Sequence, residues 1–422
     1  MSGASIPSRP SCADPRDPGS LSVDQARSQI LEAIGAPSGL ERLALRSALG
    51  RVLGAAVVST LNVPAHTNSA VDGYALAGAD LPGDGRKAFR LAGTALAGHA
   101  HAGSPGRDAC IRIMTGAPMP PGTDTVVMQE HVQIEADCVW VDARHRPGQN
   151  VRQAGEDIRA GDAVLQPGRR LTPADLGIIA SLGQGEVNVY RRPRVSFFST
   201  GDELRSLGEP LRAGDVYDSN RYTLFGMLSR LDVSIRDLGV VADDAAALRA
   251  AFRDAAATSD LVITSGGVSV GEADFIKDVL DELGDMAFWK IAMKPGRPLT
   301  FGRIGDARFF GLPGNPVAVM VTFYQFVQPA LLRLMGCPDV APLRLRARCE
   351  DALRKRAGRT EFLRGVLTGD GNGGLSVRRT GQQGSGILRS MSLANCFIVL
   401  PEENDGVAPG DEVMVEPFAG MI

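Results

Sequence analysis

The chain has 422 residues, 44% of them hydrophobic and 22% charged, with a formal net charge of −3, enough for two to four globular domains that each bury a core. Aromatic residues make up 5% and no run of consecutive basic residues exceeds three, so the charged, stacking surface that binds nucleic acid is not expected. An anionic ligand must then be held by a local constellation of side chains.

Residues 1–20 are rich in Ser, Pro, Asp and Arg and lack the apolar core of a signal peptide, so they read as a disordered tail. Ser22 and Gln25 form a capping-box pair, and Val23, Ala26, Ile30, Leu31 and Ile34 repeat at helical spacing up to Gly35. A second short helix is expected over 43–53. From 62 to 150 glycine and proline are frequent, and the alternating runs 125–128 and 138–141 read as strands. This gives an inserted β domain over 62–150, within a helical and β linker domain made of 21–61 and 151–192.

From Arg194 the texture becomes α/β. Strands are expected over 195–199, 233–241, 261–264, 288–292 and 308–311, with helices over 220–231, 243–257, 272–283 and 316–335. Strands alternating with helices of this length imply a doubly wound, mostly parallel sheet over 193–340. The most apolar helix, 317–335, is broken by Tyr324, Gln325 and Gln328 and carries Arg333, so it reads as a buried helix and not a membrane span. Short alternating segments after Pro342 (343–349, 396–400 and 412–415) indicate a small C-terminal β-barrel or sandwich over 341–422. The six cysteines, Cys12, Cys110, Cys138, Cys337, Cys349 and Cys396, include no C-x-x-C pair. No zinc or redox site is implied, and scattered thiols suit a reducing cytosol.

The strongest local signal is Thr264-Ser265-Gly266-Gly267-Val268-Ser269-Val270-Gly271, between a strand and a helix. Glycines there let backbone N–H groups approach an anion at a helix N-terminus. The segment matches neither G-x-G-x-x-G nor a P-loop, and a tight strand-to-helix turn is the plainer alternative. Gly311-Leu312-Pro313-Gly314-Asn315-Pro316 also follows a strand and opens a helix, with Asn315 placed as N-cap and Pro316 at the first helical position. Ser199-Thr200-Gly201-Asp202-Glu203 is a third such turn. Three turns at strand carboxyl ends make a binding crevice the better reading.

Glu203, Asp243 and Asp274 bring carboxylates to that crevice. Asp243 and Asp274 also suit first helical turns, whereas Mg²⁺ takes one or two carboxylates with phosphate oxygens and water. Lys290, Lys294 and Arg297 supply cations, and spacing alone leaves their facing open, since Pro295-Gly296 interrupts strand alternation. The five histidines all lie between 66 and 145, where surface or structural roles suffice.

Read together, these segments resemble the molybdopterin molybdenumtransferase (molybdate insertase) family, which also includes the C-terminal part of gephyrin. The resemblance runs from about Ser22 onward. It includes Asn68-Ser69-Ala70-Val71-Asp72-Gly73-Tyr74-Ala75, Ile111-Arg112-Ile113-Met114-Thr115-Gly116-Ala117-Pro118, Tyr217-Asp218-Ser219-Asn220-Arg221, Phe362-Leu363-Arg364-Gly365 and Gly384-Ser385. It implies four domains and transfer of molybdenum from molybdate to adenylylated molybdopterin, with Mg²⁺ as cofactor and AMP released. By position it implies Asp72, Thr115, Glu203, Asp243, Asp274, Lys290 and Lys294 as catalytic residues, with Asp243 and Asp274 on the metal. Ser265, Gly266, Gly267, Ser269, Arg297, Gly314, Asn315, Arg364 and Ser385 would bind substrate. Thr67 stands where many members carry Asp, and Arg297 where Lys is common. The resemblance further implies a cytoplasmic homodimer with sites shared between subunits, and exchange with the adenylyltransferase and recipient molybdoenzymes. Two alternatives remain at this stage: a molybdopterin adenylyltransferase, which shares the central α/β domain, and a scaffold using the same fold.

Overall fold

The computed structural model describes residues 19–266, 275–371 and 373–418; nearly all of the expected N-terminal tail lies outside them. The chain divides into two compact units, Arg42–Val189 and the combination of Met1–Glu41 with Tyr190–Ile422.

In the unit Arg42–Val189, six strands form one sheet in the order Thr125–Met128, Gly73–Leu76, Ala109–Ile113, Arg86–Ala95, Cys138–Asp142, Gln133–Glu135. Neighbouring residues in these strands feed two separate cores. Tyr74, Cys110 and Val127 join one with Phe89, and Ala75, Ile111 and Val126 join the other with Ile113. Both faces are thus covered, as the period of two requires when each face is apolar. The rest of this unit has its own core of Leu53, Val57, Ile158, Leu165, Ile179 and Val189, beside the helix Pro173–Ser181 with its Thr172/Asp175 capping box. The helix expected over 43–53 is absent. A strand ends at Ala44 and a single 3-10 turn, Leu45–Ser47, follows. Gly50, at φ +76°, reverses the chain, and the N–H groups of Gly50 and Leu53 donate to Leu171 and Arg169. Long-range pairing therefore takes the bonds that a helix would have used.

In the other unit, the helix Val23–Ile34 carries the expected capping box and buries Val23, Ala26, Ile30 and Ile34. The sheet order is Ser234–Val241, Arg194–Thr200, Leu261–Ser265, Ala307–Leu312, Pro298–Ile304, Gly284–Lys290. The first four strands are parallel. The last two are antiparallel, and Pro298–Ile304 is a strand that sequence periodicity did not reveal. The strand expected over 288–292 is Gly284–Lys290, because it follows its antiparallel partner from Ile304 to Pro298 and ends there. Phe198, Phe252, Val262 and Phe309 join helix to sheet in the core.

The segment Pro316–Leu334 is apolar and long enough to cross a membrane, but 83% of its apolar window is buried in the protein. A π-helical turn, Phe323–Val327, interrupts it. There Tyr324 stacks on Phe418 and meets Phe397 of the C-terminal domain. That domain closes: Thr360–Gly369 pairs with Leu375–Arg379, which pairs with Leu345–Cys349, then Glu412–Pro417, Cys396–Leu400 and back to Thr360–Gly369. Closure of five strands removes the free edges of a sheet.

Candidate functional site

Four parallel strands end side by side. Thr200 registers with Val241, Ser199 with Ser265, and Ser265 with Leu312. The turns leaving them, at 242–243, 201–203, 266 and 313–315, are therefore neighbours along one rim, as the three glycine-bearing turns required. Ser199 Oγ and Ser265 Oγ lie 2.9 Å apart, and the Gly266 N–H donates to Leu312 O at 3.2 Å. Gly266 has φ +93°, and a Cβ there would stand 2.5 Å from Thr200 O. Only glycine fits this crossing. Gly314 lies against Gly266, and Asn220 Nδ2 donates to Gly314 O at 2.7 Å. Gly267, Ser269 and Asp274 lie outside the described residues.

Two features of this rim differ from simple helix capping. Asn315 stands at the N-cap position of Pro316–Thr322, yet its side chain makes no capping bond and is exposed. Asp244, not Asp243, caps the helix Ala245–Thr258, accepting from the N–H groups of Ala246 and Ala247. Asp243 therefore stands outside the helix. Burial pushes its carboxyl pKa up, and the nearby Asp202 and Glu203 carboxylates push it further. Asp202 was not among the expected residues, although it sits in the quoted turn. Thr200 Oγ1 and Asn220 Oδ1, beside these turns, are buried without a hydrogen-bond partner among the described residues, a condition that marks polar groups awaiting a ligand or water.

The cations belong to different elements. Lys290 ends the strand Gly284–Lys290 of the α/β sheet, whereas Met293–Lys294 pairs with Thr360–Glu361 of the C-terminal domain. One face of a single strand thus does not hold both. Both lysines are exposed, and Lys294 Nζ lies 3.4 Å from the buried Glu361 carboxylate. Arg297 is half-buried after the turn, its carbonyl accepting from the Ile291 N–H.

Arg364 is the largest fully hidden side chain of the described residues, 1% exposed. Its Nε donates to Ser390 Oγ at 3.0 Å and its Nη2 to Gly384 O at 3.1 Å. No carboxylate among the described residues pairs with it, and burial lowers its pKa to about 10. Next to Gly384, Ser385 O accepts the Val317 N–H at 3.0 Å, two residues beyond Asn315. The guanidinium, Ser385 and the 313–315 turn are thus joined by one short path of bonds. Ser390 and Gln383, which hold Arg364 in place, carried no sequence signal beyond their nearness to Ser385.

In the unit Arg42–Val189, Asp72 and Thr115 come together from residues 43 apart. The Thr115 N–H and hydroxyl both donate to Asp72 Oδ1, each at 2.7 Å. These two bonds, chiefly the one from the backbone, hold the Asp72 pKa below the usual carboxylate value.

Comparison with known proteins follows this division of the chain. Residues 21–183 match the MoeA N-terminal region (domains I and II), residues 196–333 a probable molybdopterin-binding domain, and residues 346–418 the MoeA C-terminal region (domain IV). A molybdopterin molybdenumtransferase of Haemophilus influenzae is 44% identical over 409 residues, covering 95% of this chain and 100% of that protein. Gephyrin of Dictyostelium discoideum is 33% identical, over 93% of this chain and 61% of that protein. The crystal structure of a molybdopterin biosynthesis MoeA protein from Pyrococcus horikoshii superposes with a TM-score of 0.83 at 28% identity, covering 94% of this chain and 100% of that one.

Proposed function

The chain belongs to the molybdopterin molybdenumtransferase family, and on that premise we propose that it transfers molybdenum from molybdate to adenylylated molybdopterin, releasing AMP with Mg²⁺ as cofactor. It is an enzyme of molybdenum cofactor biosynthesis. The observation that carries the finer reading is the path from Arg364 through Gly384 and Ser385 to the first turn of Pro316–Thr322. It sets a buried, carboxylate-free guanidinium beside a loop built for close backbone approach, where a dianionic oxyanion finds both charge and N–H donors.

The donor set fits Mg²⁺ in an open site. Among the described residues no three His, Cys, Asp or Glu side chains gather as a cage. Asp243 nevertheless feels Asp202 and Glu203, a mutual repulsion that a cation relieves. Asp243, with Asp274 by its position in the family pattern, would hold the ion on the phosphoanhydride of the substrate and leave its other positions to phosphate oxygens and water. When bound, Mg²⁺ supplies Lewis-acid polarisation of the phosphoryl group. The protein's own part is positional. The turns at 201–203 and 313–315 offer backbone N–H groups to the substrate, and Gly266 lets the chains cross closely beside them. Lys294, Arg297, Arg364 and Ser385 offset the charge of molybdate, and Lys290 adds a cation at the sheet edge.

The same reading makes the working form a cytosolic homodimer, in which Asp72 and Thr115 of one subunit complete the site of the other. It also makes the adenylyltransferase the source of the substrate and molybdoenzymes the recipients of the product. The direct test supplies purified protein with adenylylated molybdopterin and follows AMP. Release that requires both molybdate and Mg²⁺ is expected. Formation of adenylylated product from ATP without molybdate would replace this reading with that of an adenylyltransferase.

A further inference from the structure

A cleft of about 780 Å³ opens in the C-terminal domain, lined by Lys294, Arg354, Lys355, Arg356 and Arg359 among others. Glu361 and Asp405 also line it, so five cations face two carboxylates in a chain whose net charge is −3. Four of these cations come from one short basic run, Arg354-Lys355-Arg356 with Arg359, and the fold brings Lys294 to it. It does so by pairing Leu353–Arg354 with Gly406–Val407 and Met293–Lys294 with Thr360–Glu361. Arg354 and Arg356 are exposed and neither enters an ion pair among the described residues. Behind them Lys355 is only 8% exposed. Its Nζ donates to the carbonyls of Glu402 and Asn404 at 3.2 and 2.7 Å, so its charge is retained without a carboxylate touching it. Like charges crowded in a concavity repel one another and focus a positive field into it. The remaining wall, Ala352, Leu353, Val407, Ala408 and Pro409, is aliphatic and offers no ring on which a base could stack.

We propose that this cleft is a second anion site, which binds the phosphate group of a small phosphorylated molecule through Arg354, Arg356 and Arg359. Its volume is that of a small-molecule pocket and far exceeds a single tetrahedral ion. Guanidinium groups suit phosphate oxygens through paired N–H donors. Lys294, assigned to molybdate in the transferase reading, also lines this cleft, but none of the three arginines has a part in that reading.

The test is calorimetric titration of the full chain, at low ionic strength, with AMP and with inorganic pyrophosphate. For at least one probe, the wild type is expected to show a saturable site that the double variant Arg354→Gln/Arg356→Gln lacks. Binding at that site should weaken at least tenfold in the double variant, whatever the crevice adds to the wild-type isotherm. Saturation of that site by AMP alone identifies an organic phosphate ester as the ligand class, and by pyrophosphate alone a free phosphate. Both support the site. Absence of saturable binding by either probe overturns it, as does equal binding by the double variant and the wild type. Because the readout is binding, it is separate from the AMP-release assay, and either inference can fail without the other.

Discussion

Thr115 grips Asp72 twice, with its backbone N–H and its hydroxyl each 2.7 Å from the same carboxylate oxygen. The pair holds one carboxylate oxygen on the β sheet and leaves Asp72 ionised at neutral pH, its pKa held down mainly by the backbone bond and then by the hydroxyl. Thr115→Val keeps the first bond and removes the second. The Asp72 pKa should rise toward its ordinary value, and Thr115→Ser should restore it. A carbon-detected NMR titration of the Asp72 carboxyl reads this directly; no change in Thr115→Val would mean the hydroxyl is a bystander.

If Asp72 and Thr115 complete a site on the partner subunit, inactive subunits should rescue each other. Asp72→Asn and Asp243→Asn chains, refolded together, give mixed dimers with one doubly mutated site and one intact site. Random pairing makes about half the dimers mixed, so about a quarter of wild-type turnover should return. Turnover no higher than that of the separate variants would place each site within one subunit.

Arg364 is buried among neutral acceptors only. A buried charge bonded only to neutral acceptors carries a desolvation cost that an apolar side chain of similar volume does not. Arg364→Met should therefore leave stability within about 1 kcal/mol of wild type, while molybdate-dependent AMP release falls by about two orders of magnitude or more. Chemical denaturation and the release assay, run on the same preparation, separate the two effects. A loss of about 3 kcal/mol or more would make Arg364 a structural residue instead.

Asp260 precedes the strand Leu261–Ser265, at the end opposite the crevice, and accepts from Arg191 at 2.7 Å and from the Arg194 N–H at 2.7 Å. Burial raises its pKa, but the bonds from Arg191 and Arg194 outweigh it and bring it to about 2. A depressed folded pKa stabilises above the unfolded pKa, near 3.8, and this stability is lost as pH falls toward 2. With allowance for solvent screening, Asp260→Asn should cost about 1–2 kcal/mol at pH 7. Urea melts of both proteins should converge as pH drops below about 3. A constant gap down to pH 2 would assign the difference to lost hydrogen-bond geometry and not to charge.

Much of the architecture could be read from local pattern. The Ser22/Gln25 capping box and the strands Thr125–Met128 and Cys396–Leu400 appear as periodicity and capping chemistry indicate, because neighbours in sequence supply those signals. The strand-end turns were equally legible, since a glycine after an apolar run marks a backbone that must turn sharply or approach another closely.

Where local pattern failed, a distant partner decided. The stretch 43–53 has helical spacing, but its backbone donors go to Arg169 and Leu171. Pro298–Ile304 is a strand because two flanking strands claim it. The same holds for the chemistry. Lys290 and Lys294, four residues apart, enter different sheets, while Asp72 and Thr115, 43 residues apart, share a carboxylate oxygen. Sequence by itself determined which residue types were present and which short turns could carry them. Which carboxylates repel, and that Lys294 joins the Arg354-Lys355-Arg356 run in one cleft, were decided only by the tertiary fold, since charge interactions depend on distance through space and on burial, and spacing along the chain sets neither.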